Sequence, residues 1–107
     1  MTSQIRRDIL RDWNVLVVDD EIDSLEVATR ILRFYGANVA TASNGQEALV
    51  FLQRHAPPQL ILLDLMMPVM DGYAFRTAQQ ADAALASIPV VVLSADKESE
   101  IDPALEA

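Results

Sequence analysis

The 107-residue sequence predicts an α/β fold, a doubly wound parallel sheet, and three observations lead there. Short apolar runs alternate along the chain with stretches whose apolar residues recur at helical spacing. Three of the four runs are continuous rather than alternating, the pattern of strands covered on both faces. Acids stand directly after the first and third runs, where open α/β sheets collect their chemistry.

The runs are Val15–Val18, Val39–Ala42, Leu60–Leu63 and Val90–Leu93. The second is softer and more polar, which assigns it to a sheet edge. Between the first two, Leu25, Ala28, Ile31, Leu32 and Tyr35 fall on one helical face, and Gly36 supplies the stop. A second helix opens at Asn44, with Glu47 three residues on as a capping-box partner, and must end before Pro57-Pro58. A third is expected from about Gly72 to about Leu85, with Pro89 opening the last strand. Asp102-Pro103 pairs an N-cap with a first-turn proline, so a further helix is expected to start there. Residues 1–13 form an N-terminal extension in which Ile5, Ile9, Leu10 and Trp13 are spaced to share a helical face. It is read as a short amphipathic helix packed on the domain, or as a partner-binding arm. Residues 14–107 form the single domain.

Composition narrows the function. Apolar residues make up 51%, enough for a core, and only 3 Gly and 5 Pro argue against a disordered chain. The absence of cysteine excludes a disulfide scaffold, a thiolate metal site and a Cys nucleophile. Sixteen acidic against 8 basic side chains give a net charge of -8, which repels phosphodiester backbones and speaks against direct nucleic-acid binding. No apolar run approaches the roughly 20 residues of a membrane span, and the N-terminus lacks the apolar stretch of a signal peptide. A cytoplasmic domain is the expectation.

The acids carry the chemistry. The first strand ends in Asp19-Asp20-Glu21 and the third in Asp64. If those strands are neighbours, at least three carboxylates converge, and each pair about 5 Å apart repels by roughly 3 kcal/mol at an effective dielectric near 20. A hard divalent cation with oxygen ligands removes that cost, and Mg²⁺ suits a site of few carboxylates completed by water. Asp64 follows a deeply apolar strand, where a carboxylate needs a cation or hydrogen bonds. Asp23 and Asp71, by contrast, read as helix caps or solvated turns. His55 suits a helix C-terminus, and Met66, Met67 and Met70 read as loop-packing residues.

Val15-Leu16-Val17-Val18-Asp19-Asp20-Glu21, the loop Asp64-Leu65-Met66-Met67-Pro68-Val69-Met70-Asp71-Gly72, and Pro89-Val90-Val91-Val92-Leu93-Ser94-Ala95 together resemble the receiver domain of two-component response regulators, over residues 14–107. The resemblance implies a flavodoxin-like fold with strand order 2-1-3-4. It makes Asp64 the phosphoacceptor and Ser94 the switch hydroxyl. It has Asp19 or Asp20, Asp64 and the Met66 backbone carbonyl hold Mg²⁺. The implied partner is a histidine kinase or phosphotransfer protein, and the module is a signalling switch, not an enzyme in the turnover sense. The chain departs from the family pattern at its end. The fifth strand, its lysine-proline pair and the last helix are not found, and the single lysine, Lys97, lies too close to Ser94 to replace the family's. A fragment of a longer receiver and a naturally shortened one are both readings of this. Either leaves the fourth strand as an open apolar edge, so self-association through it is expected. The alternative function is a pseudo-receiver, the same fold kept as a phosphorylation-independent binding or dimerisation surface. An aspartate-nucleophile phosphatase of the haloacid dehalogenase type fits poorly, because Glu21 stands where its second aspartate belongs.

Overall fold

The computed structural model describes residues 8–65 and 70–92. Its elements run β1 (Asn14–Val18), α1 (Ile22–Phe34), β2 (Asn38–Ala42), α2 (Gly45–Arg54), β3 (Leu60–Leu63), α3 (Gly72–Ala81) and β4 (Val90–Val92). The strands form one parallel sheet in the order β2-β1-β3-β4, the order that the family resemblance implies. The soft second run is at an edge, as its polarity required. Among the described residues no helix is long and apolar enough to cross a membrane.

Strand alternation divides the core between the two faces. Leu16, Val18, Ile61 and Leu63 point to one side, where they meet Ala48 and Leu52 of α2 and Phe75 of α3. Val15, Val17, Leu60 and Leu62 point to the other, against Leu25, Ala28 and Leu32 of α1. β1 is thus buried on both faces from Val15 onward, which is why its sequence shows no polar alternation. β4 behaves differently. Val90 and Val92 pack on the larger cluster, but Val91 is 48% exposed, because among the described residues α1 is the only helix on that face and contacts β1 and β2.

Helix ends follow local chemistry. α1 closes in a Schellman turn, with the Ala37 amide donating to Leu32 O and the Gly36 amide to Arg33 O, and Gly36 takes φ +100°. The backbone of Arg11 lies 3.0 Å from where a β-carbon on Gly36 would sit, so this position needs glycine for space as well as conformation. On α2, Asn44 Oδ1 accepts from the Glu47 amide at 2.8 Å, and Glu47 Oε1 accepts from the amide of Ser43 rather than of Asn44.

Three local expectations are corrected. Ile31 is 53% exposed rather than on the buried face of α1, since it lies about 100° round the helix from Leu32. Residues 8–12 form turns, not a helix: Leu10 N donates to Tyr35 O, Arg11 N to Asp8 O, and Asp12 takes φ 67°. Leu10 packs on the α1 side while Ile9 and Trp13 stay exposed, and Ile5 lies outside the described residues. Finally α3 stops at Ala81, not near Leu85. Asp82 is extended, and its carboxylate accepts from the Ala84 amide to start a separate set of turns through residue 87. The helix expected at Asp102-Pro103 lies outside the described residues.

Those turns are held from inside. Gln79, fully buried on α3, donates from Nε2 to Leu85 O (2.7 Å) and Ile88 O (3.2 Å) and accepts from Arg76 Nη1 (2.9 Å). Arg76 is itself buried, and its Nε has no hydrogen-bond partner. Gln79→Ala strips two carbonyls and a guanidinium of their partner at once and is expected to cost about 2–4 kcal/mol in urea unfolding. The exposed neighbour substitution Gln80→Ala is expected to stay within about 0.5 kcal/mol.

Candidate functional site

The register of the sheet builds the site. Val18 pairs with Leu63, so the next residue of each strand, Asp19 and Asp64, leaves the sheet at the same level on adjacent strands. Backbone bonds extend the ladder past the strand ends: the Asp64 amide donates to Val18 O at 2.9 Å and the Asp19 amide to Ala42 O at 3.0 Å. Both acids are buried, at 6% and 8% exposure, while Asp20 is exposed. One carboxylate oxygen from each of Asp19, Asp20 and Asp64 lies within 4.8 Å of the others.

Asp19 bears the electrostatic consequence. Burial pushes its carboxyl above the ordinary value of 3.8. The Glu21 amide, donating to Oδ1 at 3.0 Å, pulls it back, and the neighbouring Asp64 and Asp20 raise it further. Three oxygen ligands at this spacing form a hard donor set that suits a small divalent cation.

α3 seats the other wall. Its N-cap Asp71 accepts from the Ala74 amide at 2.9 Å, the capping role read from sequence. Gly72 donates to Leu65 O, and a β-carbon there would stand 2.7 Å from both Asp64 O and Leu65 Cα. Close backbone approach therefore explains this glycine. On the opposite side, the Gly45 amide donates to Met70 O, tying the start of α2 to the same loop. Met66 and Ser94, implied as a carbonyl ligand and a switch hydroxyl, lie outside the described residues, as does Lys97.

Sequence reasoning missed the Glu21 amide and the Gly45–Met70 bond. The first had a signal, since an Asp at a strand end commonly accepts from the amide two residues on. The second is a contact between distant loops and had none.

A parallel sheet of this order with acids at adjacent strand tips matches what comparison with known proteins finds. Residues 15–107 match the response regulator receiver domain, and the chain belongs to that family. It is 37% identical over 81 residues to the probable transcriptional regulator ycf27 of Porphyra purpurea, covering 76% of this chain and 32% of that protein. Against the transcriptional regulatory protein PrrA of Mycobacterium tuberculosis the identity is 47% over 81 residues, covering 76% and 34%. The chain thus spans about a third of the length of these relatives. Among solved structures, the N-terminal domain of a response regulator receiver protein from Methanoculleus marisnigri superposes with a TM-score of 0.76 at 37% identity, covering 81% of this chain and 70% of that one. The chemotaxis response regulator CheY4 of Vibrio cholerae gives 0.76 at 32%, covering 81% and 72%. The chain is a receiver domain of a two-component response regulator.

The raised Asp19 carboxyl has a definite sign in stability. The native state holds this proton more tightly than the unfolded chain, so stability falls as pH rises from 3.8 through the native value. In chelator near neutral pH, Asp19→Asn is expected to be more stable than the parent in urea unfolding, the gap closing as pH falls toward 3.8.

Proposed function

We propose that this receiver domain takes a phosphoryl group onto Asp64 from the phosphohistidine of a histidine kinase or phosphotransfer protein, with Mg²⁺ held by Asp19, Asp20, Asp64 and the Met66 carbonyl. The observation that carries this reading is the convergence of the three carboxylates, with Asp64 at the tip of the buried strand β3. An Asp64 carboxylate oxygen attacks phosphorus as the P–N bond to the donor imidazole breaks, leaving an acyl phosphate on Asp64 and a neutral imidazole once its nitrogen takes a proton. Bound Mg²⁺ supplies charge neutralisation on the transferring oxygens. Asp19 and Asp20 hold negative charge beside Asp64, and the Glu21 amide orients Asp19. Ser94 is proposed as the hydroxyl that meets the phosphoryl group and relays its arrival to the surface.

The donor's approach is supported by α1. Val27, Ile31 and Phe34 form an exposed apolar strip along the helix, and Ile22, two residues past Asp20 and 74% exposed, stands on another face at its start. Such a strip suits a partner helix that brings its phosphohistidine to the strand tips.

Acetyl phosphate with Mg²⁺, followed by intact mass, tests the reading. The parent is expected to gain one phosphoryl group, Asp64→Asn none, and Asp20→Asn to react at least about tenfold more slowly. Mass is the better readout, because Trp13 precedes β1 at the end of the strand opposite Asp19. If the parent gains nothing, the pseudo-receiver reading, a binding module independent of phosphorylation, replaces this one.

We also propose self-association through β4. Val91 is exposed on an all-valine strand whose only neighbour among the described residues is β3. Light scattering is expected to show a concentration-dependent rise in mass that Val91→Lys suppresses; a monomer at all concentrations overturns it.

A further inference from the structure

At the pole of the sheet away from the acids, β1 and β2 begin with Asn14 and Asn38, directly paired in register. Asn38 Nδ2 donates to Asn14 Oδ1 at 3.2 Å. Among the described residues neither Asn14 Nδ2 nor Asn38 Oδ1 has a further side-chain partner, so the pair presents one free donor beside one free acceptor. Exchanging oxygen and nitrogen in both amides reverses the direction but leaves the same complement. Both residues line a cavity of about 280 Å³ that reaches the C-terminal end of α2. There Phe51 and His55 stack with centroids 4.1 Å apart and planes at 15°. His55 Nδ1 lies 3.0 Å from Phe51 O, and since a carbonyl only accepts, that nitrogen carries the proton and Nε2 is the acceptor of the neutral ring.

These features describe one class of ligand. An aromatic pair on one wall favours a flat π-system, as bases on aromatic side chains show. A donor and an acceptor on two neighbouring amides can together meet the edge of an aminopurine, where an exocyclic amine adjoins a ring nitrogen. The volume lies near the lower end of the roughly 300–1,000 Å³ of small-molecule sites, enough for a fused ring system. Among the described residues neither Lys nor Arg lines the cavity, and the net charge of -8 disfavours phosphate, so the lining favours an uncharged ring over a nucleotide. We infer that this cavity binds a neutral aminopurine, adenine or its nucleoside, with the ring against Phe51 and His55 and its amidine edge on Asn14 and Asn38. The site is built from residues at the opposite end of the strands from Asp64.

Adenine titrated into the full chain and followed by NMR tests it. Saturable shifts are expected in the His55 and Phe51 rings and in the side-chain amides of Asn14 and Asn38. Asn38→Ala and Phe51→Leu are each expected to weaken binding at least about fivefold, the loss of one hydrogen bond or part of a stacking contact. Indole, which fills the same slot without the amidine edge, is expected to bind at least about fivefold more weakly than adenine. Absence of saturable shifts, an unchanged affinity in Asn38→Ala, or equal binding of indole overturns the inference. Should Phe51→Leu fail to fold, Asn38→Ala, a change at an exposed residue, decides alone.

Discussion

The pairing of Val18 with Leu63 is the constraint on which the site depends. Parallel neighbours stand about 4.8 Å apart, so fixing that register fixes the separation of the residues that follow. Once the Asp64 amide is bonded to Val18 O and the Asp19 amide to Ala42 O, the two backbones have no freedom to part. Burial removes the side chains' freedom as well. The carboxylates are therefore crowded by the sheet and not by any attraction between them. The interior of β1 and β3 offsets that cost: Leu16, Val17, Val18, Ile61 and Leu63 are all fully buried, and each contributes about 1.5–3 kcal/mol of burial. A charged rim is affordable because the strands beneath it are so apolar.

Much of this was legible from local sequence. Continuous apolar runs gave the strands, the polarity of Val39–Ala42 gave its edge position, and Asn44 with Glu47 gave the start of α2. The convergence of Asp19, Asp20 and Asp64 followed from strand tips alone, given that β1 and β3 are neighbours. What escaped was decided elsewhere. Helical spacing continues past Ala81, so periodicity cannot see that Asp82 prefers to bond the Ala84 amide. Arg76 and Gln79 are polar by composition, and nothing nearby in sequence says that they point inward on α3 between Phe75 and the turn carbonyls. The N-terminal segment has helical spacing too, but its amides are taken by Tyr35 and by its own turns. At Asp82 a competing local bond, and for Gln79 and the N-terminal segment partners farther along the chain, outcompeted the helical preference.

The fold divides its polar groups between two poles. At the carboxyl ends of the strands the side chains are acids of like charge, crowded together, and the Glu21 amide donates to Asp19. At the amino ends they are neutral amides, Asn14, Asn38 and Gln59: the Asn14 backbone amide donates to Gln59 Oε1 at 2.5 Å, and Asn38 Nδ2 to Asn14 Oδ1. The same in-register strands thus give a pole under electrostatic stress and an uncharged pole. Only the first gains energy by taking up a cation.

That stress acts between unequal halves of the molecule. Asp64 belongs to β3 and the larger cluster, with Gly72 pressed on its carbonyl and Phe75 fully buried beneath. Asp19 and Asp20 lead instead into α1, which has no fully buried residue and holds the sheet through Leu25, Ala28 and Leu32. Repulsion across the strand tips therefore acts between a lightly held helix and the firmly held end of β3. Where opening free energies differ in this way, the weaker contacts yield first. The short segment from Asp19 to Ile22 thus joins the charged strand tips to α1, on which Ile22, Val27, Ile31 and Phe34 are exposed.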